Sequence, residues 1–127
     1  MRLASVAFVV RDYDEAIRYF VDMLGFGLAE DSDLGGGKRW VRVAPPGGGV
    51  NLVLAVAVGD EQVDATGKAA GGRVAFFLEV GDFRATYDAM RTRGVAFREE
   101  PRRETYGWVV VFADLYGNQW DLIETRA

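Results

Sequence analysis

The chain has 127 residues and neither histidine nor cysteine. It therefore lacks the side chains most often used near neutral pH as general base, thiolate nucleophile and soft metal ligand. Chemistry would have to rest on carboxylate, lysine, tyrosine or arginine. The carboxylate in the most informative place is Asp121, within Asn118-Gln119-Trp120-Asp121-Leu122-Ile123-Glu124. Strand alternation puts Gln119, Asp121 and Ile123 on one face there, and Trp120 and Leu122 on the other. Burial would raise the Asp121 pKa and make it a base, whereas pairing with Arg73 would push it the other way. Glu79 and Glu124 read as strand-end charges kept in water. Ser5 and Ser32 have no base to activate them, and Gly35-Gly36-Gly37-Lys38 neither has P-loop spacing nor opens a helix. That glycine run is expected to be a mobile lip.

Recognition has better material than catalysis. Along Arg39 to Ala44, Trp40 and Arg42 share one face while Val41 and Val43 share the other. If the valines pack under a helix, Trp40 and Arg42 face outward, where a ring and a guanidinium stack on and pair with a planar or anionic ligand. The competing reading is that Trp40 fills core or a dimer contact. Trp108 and Trp120 fall in the core register. The formal net charge is −4 and the arginines are scattered, apart from Arg102-Arg103. Neither nucleic acid nor an anionic membrane is an expected partner, since both reward clustered basic residues. No apolar stretch reaches membrane-spanning length, and no signal peptide is visible, so the expected compartment is the cytoplasm.

The elements that must position these residues come in two similar runs. Leu3 to Val10 reads as a buried strand. Asp12 caps a helix with Glu15 completing the box, and Tyr13, Ala16, Ile17, Phe20 and Leu24 form its apolar stripe before Gly25. Phe26 to Glu30 reads as a short strand, Asp31 to Gly37 as a flexible loop, and Arg39 to Ala44 and Val50 to Val58 as strands. Gly59 to Gly72 reads as a connector. The pattern then restarts, with Val74-Ala75-Phe76 echoing Val6-Ala7-Phe8 at the offset by which Asp82 follows Asp14. A second helix carries Phe83, Tyr87 and Met90 and ends at Gly94. Strands are expected over Val95 to Arg98, Trp108 to Phe112 and Asn118 to Glu124, with a tight turn at Asp114-Leu115-Tyr116-Gly117-Asn118. The predicted organisation is a first module over 1–58, a linker over 59–72 and a second module over 73–127. Each module is one strand, one helix and three strands, an α+β class.

The strand ending Val10-Arg11-Asp12 and the helix Asp14-Glu15-Ala16-Ile17-Arg18-Tyr19-Phe20, closed by Leu24-Gly25-Phe26, carry a family resemblance. So does Asp114-Leu115-Tyr116-Gly117-Asn118 with Trp120-Asp121-Leu122. Together they resemble the vicinal oxygen chelate superfamily, which includes glyoxalase I, bleomycin resistance proteins, fosfomycin resistance enzymes and extradiol dioxygenases. The resemblance implies two tandem βαβββ modules forming a curved mixed sheet around a central cup, and a homodimer. It also implies a divalent-metal site at Ser5, Asn51, Arg73 and Asp121. Arginine offers no lone pair and repels a cation, so at these four positions the expectation is no metal, no cofactor and an Arg73–Asp121 ion pair. The expected function is binding of a small organic ligand by Ser5, Trp40, Arg42, Asn51, Arg73 and Asp121, in the manner of bleomycin-resistance sequestration. The alternatives are a glyoxalase- or dioxygenase-like enzyme with an atypical site, and an interaction module that dimerises without a ligand.

Overall fold

The computed structural model describes residues 1–125, so the last two positions of the predicted second module lie outside the described residues. The chain divides into two compact units, Met1–Thr66 and Gly67–Ala127. Each has an α+β architecture built on its own mixed sheet.

The first unit begins with β1 (Ser5–Val10) and α1 (Tyr13–Arg18). Asp12 has extended backbone and its carboxylate accepts the Glu15 N–H at 2.8 Å, satisfying one of the orphan donors of the first turn. The helix runs on as a π-helical turn over Tyr19–Met23, which no local signal announces. Gly25 then takes φ 76°, a left-handed conformation suited to glycine, and releases the chain. Strands β2 (Gly27–Gly35), β3 (Lys38–Ala44) and β4 (Asn51–Val56) complete the sheet in the order β1-β4-β3-β2, with β1 and β4 parallel. Phe8, Val10, Val41, Val43, Leu52 and Leu54 are buried with Ala16 and Phe20 from the helical segment and Phe26 just after it. Phe20 packs edge-on to Phe8 at 5.2 Å.

β2 is longer than the sequence suggests, because the residues expected to form a loop are held by their partners on β3. Asp31 takes a two-pronged contact from Arg39, at 3.1 and 2.7 Å. Arg39 also pairs with Asp14 at 3.0 Å and lies 5.0 Å from the centre of the Tyr13 ring. The expected glycine lip is thus a hairpin tip, tightened by the Gly35 N–H donating to Asp33 Oδ1 at 2.8 Å.

Helix α2 (Gly59–Ala65) occupies the first part of the expected connector and buries no residue. The second unit then repeats the first. β5 (Val74–Val80) leads into α3 (Phe83–Thr92), capped by the Asp82 carboxylate on the Ala85 N–H at 3.1 Å, with Phe83, Tyr87 and Met90 inward. β6 (Ala96–Phe97), β7 (Arg102–Glu104), β8 (Gly107–Ala113) and β9 (Gln119–Glu124) follow. The order is β5-β9-β8-β6, with β7 also on β8 and β5 parallel to β9. The strand expected over Val95 to Arg98 is the short β6, and β7, which the sequence reading did not expect, follows the break at Glu100-Pro101. At that break the Glu99 carboxylate takes the Val111 N–H at 3.0 Å in place of a strand carbonyl.

The turn between β8 and β9 is tied by one buried carboxylate. Asp114 Oδ1 accepts the backbone N–H groups of Tyr116 and Asn118 at 2.9 and 3.1 Å. Its Oδ2 accepts the Asn118 side-chain amide at 3.0 Å and the Trp120 indole N–H at 2.8 Å. Asn118 Oδ1 takes the Ala69 N–H at 3.0 Å, and Gln119 donates to the Gly72 carbonyl at 2.9 Å. Gly67, at φ 80°, sits so close to the Tyr116 carbonyl that a Cβ there has no room. Asp114→Ala leaves the Trp120 and Asn118 donors buried without acceptors and is expected to cost about 3 kcal/mol. The readout is a lowered urea midpoint at unchanged slope; a loss below about 1 kcal/mol would show that this carboxylate does not hold the turn.

Candidate functional site

In each unit the helix covers one face of the sheet, and the predicted site residues lie on the other. In the first unit Ser5 pairs with Asn51 across β1 and β4, and Arg42 pairs with Val53 across β3 and β4. Trp40 lies opposite Ser32 on β2. Ser5, Asn51, Trp40 and Arg42 therefore share the face away from α1, while Val41 and Val43 are fully buried beneath it.

That face has an internal electrostatic order absent from the sequence expectation. Arg42 reaches Glu30 Oε1 with Nε at 3.2 Å and Nη2 at 3.1 Å, and the Ser32 hydroxyl donates to Oε2 at 3.1 Å. Hydrogen bonding from Arg42, then from Ser32 and Trp40, holds the Glu30 carboxyl below the usual carboxylate range against a smaller opposing effect of desolvation. The guanidinium read as an anion receptor is already engaged. Trp40 remains 40% exposed, with an open ring surface.

In the second unit Asp121 stands between Phe77 on β5 and Val111 on β8. Trp120 and Leu122 point the other way into the core, at 2% and 0% exposure. The predicted Arg73–Asp121 ion pair does not form. Arg73 precedes β5, is exposed, and donates its backbone N–H to the Ala70 carbonyl, whereas the register sets Phe77 across from Asp121. Asp121 Oδ1 is buried with no hydrogen-bond partner. Burial pushes its carboxyl above the usual range, Arg102 pulls it down, and Glu99 pushes it up again. Arg102 is held by Glu99 at 3.0 Å and Glu104 at 2.7 Å. Sequence reasoning missed this trio because β7 has no apolar alternation to mark it as a strand.

Trp108 lies on the helix side as its register predicts, stacked on Phe83 at 6.4 Å with Arg103 5.7 Å from its ring centre. It also lines an open recess of about 530 Å³ with Gly81, Asp82, Phe83, Arg84 and Glu124. None of the predicted ligand residues lies there.

The fold, the turn and the repeated capped helices now stand beside a comparison with known proteins. Residues 2–122 match the model of the Glyoxalase/Bleomycin resistance protein/Dioxygenase superfamily. The chain belongs to that superfamily. An uncharacterized protein from Shewanella frigidimarina is 48% identical over 124 residues, which is 96% of this chain and 92% of the relative. A superfamily member from Sphaerobacter thermophilus has a solved structure with a TM-score of 0.82 at 28% identity, covering 98% of each chain. TnmS3, an antibiotic binding protein from a Streptomyces species, superposes with a TM-score of 0.79 at 27% identity over 98% of this chain and 95% of that one.

The metal that the family resemblance implies does not fit the donors present. On the first unit's face the positions hold a hydroxyl and an amide, Ser5 and Asn51. On the second, Asp121 faces a phenylalanine, and the charges acting on it are the Arg102 guanidinium and Glu99, a carboxylate already bound to that guanidinium. Among the described residues no group of three or more His, Cys, Asp or Glu is placed to hold a metal ion. No reaction step through a metal is derived from this set.

The raised Asp121 carboxyl makes a pH-dependent prediction. Folding raises its pKa, so the folded state binds the proton more tightly than the unfolded one, and stability falls as pH rises above the ordinary carboxylate value. Asp121→Asn is therefore expected to raise Tm at pH 7, with the gain shrinking as pH falls and Asp121 itself becomes neutral. A melting series between pH 4 and 8 on both proteins checks it; a gain that grows on acidification would contradict the assignment.

Proposed function

We propose that this protein binds a small organic molecule on the helix-free faces of its sheets and holds it without transforming it. The observation carrying this reading is Asp121: the superfamily's metal-position carboxylate stands with no second donor, opposite an aromatic ring that is 63% exposed. The exposed Trp40 ring on the first unit supports it, as does similarity to an antibiotic binding protein. The ligand residues in this reading are Ser5, Trp40, Arg42, Asn51, Arg73 and Asp121, with Arg42 acting through its pair with Glu30. The protein works as a cytoplasmic homodimer, in keeping with edge strands that a second copy can cover. Among the described residues no helix is long and apolar enough to cross a membrane.

The test is thermal melting against a panel of planar antibiotics and dyes, with the oligomeric state followed by sedimentation. A binder present at one hundred times its Kd stabilises by about 2.7 kcal/mol, raising Tm by on the order of 10 °C. Chelation by EDTA should change neither Tm nor binding. One retained equivalent of zinc, nickel or iron per chain would replace this reading with an enzymatic one, and a panel without a single stabilising compound would remove it.

A further inference from the structure

We infer that the ligand is a planar aromatic cation, its charged N–H directed at Asp121 and its ring lying on Phe77. This deepens the binding reading above and rests on it. Buried polar atoms in folded proteins nearly always have a partner, so an exception needs a cause. Asp121 has none: Oδ1 is shut from water without a hydrogen bond, and the side chain makes no ion pair among the described residues. A carboxylate so placed is best satisfied by a charged donor, which forms a shorter and stronger hydrogen bond than a neutral one.

The surroundings favour positive over negative charge. Arg102, the cation whose field reaches Asp121, is clamped between Glu99 and Glu104, and Glu99 works against it. Glu79, two residues beyond Phe77 and so on its face of β5, is exposed and has no ion pair among the described residues. Phe77 contributes a ring face, which attracts cations through its quadrupole as well as stacking on aromatics. As opposed residues of neighbouring parallel strands, Phe77 and Asp121 lie side by side at about the 5 Å strand spacing. One small ligand spans both. An anion would meet the Asp121 charge first. Beyond the clamped Arg102, the exposed arginines of this unit's β5 and β6 ends are Arg73 and Arg98, and neither figures among the charges acting on Asp121.

The experiment compares 9-aminoacridine, a cation at neutral pH, with 9-anthracenecarboxylate, an anion of similar size, by fluorescence titration of the full chain. The cation is expected to bind at least tenfold more tightly. Asp121→Asn is expected to cost the cation about 10- to 100-fold and to leave the anion's affinity unchanged or improved, while Phe77→Ala weakens both. Melting curves confirm that each variant folds. An anion that binds as well as the cation, or a cation preference that survives Asp121→Asn, overturns the ligand class while leaving the binding reading intact, and points to Arg73 or Arg98. Failure of both dyes together with an inert panel removes the binding reading and this inference with it.

Discussion

The second unit depends on a single carboxylate that is 6% exposed. A charge in that position is tolerable only if its lone pairs are filled, and Asp114 accepts four hydrogen bonds, three from Tyr116 and Asn118 within the turn and one from the Trp120 indole. Two consequences follow from the geometry. The Trp120 ring is fixed at its N–H, so its faces are presented to Phe76 at 4.5 Å and Phe112 at 5.7 Å. Fixing Trp120 inward also fixes its neighbour Asp121 outward, because alternation along β9 leaves no other choice. The residue that organises the turn therefore determines which way the candidate ligand group points, although the two carboxylates do not touch.

Charge on the two helix-free faces follows one pattern. Two of the arginines near the candidate sites are paired within their own unit: Arg42 with Glu30, and Arg102 with Glu99 and Glu104. These pairs lie at least partly in water and add little to stability. Their larger effect is on selectivity, because a guanidinium already bonded to carboxylates must give up those bonds to greet an anion. The sequence alone reads a planar or anionic ligand from Trp40 and Arg42; the structure adds that Arg42 already holds Glu30.

Local rules made much of the fold legible. Asp12 and Asp82 announce their helices because capping is settled within three residues, and Gly25 and Gly94 end the helical stretches at φ 76° and 92°. The stripes Phe83, Tyr87, Met90 and Ala16, Phe20 follow from helical period, and the outward placement of Trp40 and Arg42 from strand period, while Ser5 and Asn51 came only from the family resemblance. What stayed hidden depends on partners rather than on period. Polar β2 is a strand because Arg39 and its neighbours sit across from it. β7 exists because Glu99 bridges the gap before it. The partner of Asp121 was misjudged because a contact between strands requires knowing the register to one residue.

That register turns on a single irregularity. β5 and β9 pair Val74 with Gln119 and then Phe76 with Trp120, so β5 spends one extra residue at Ala75. Without the bulge, Val74 opposite Gln119 would bring Phe76 opposite Asp121 two positions later, and Phe77 would fall to the helix side. With it, the adjacent rings go to opposite faces: Phe76 packs on Trp120, and Phe77 stands outward beside Asp121. A phenylalanine exposed on a sheet gains nothing from the core, and the Asp121 carboxylate beside it keeps one oxygen buried without a partner. Both conditions are relieved at once by a flat molecule bearing a donor, which is why the bulge, at the second residue of β5, is the feature of the backbone that most directly shapes the proposed site.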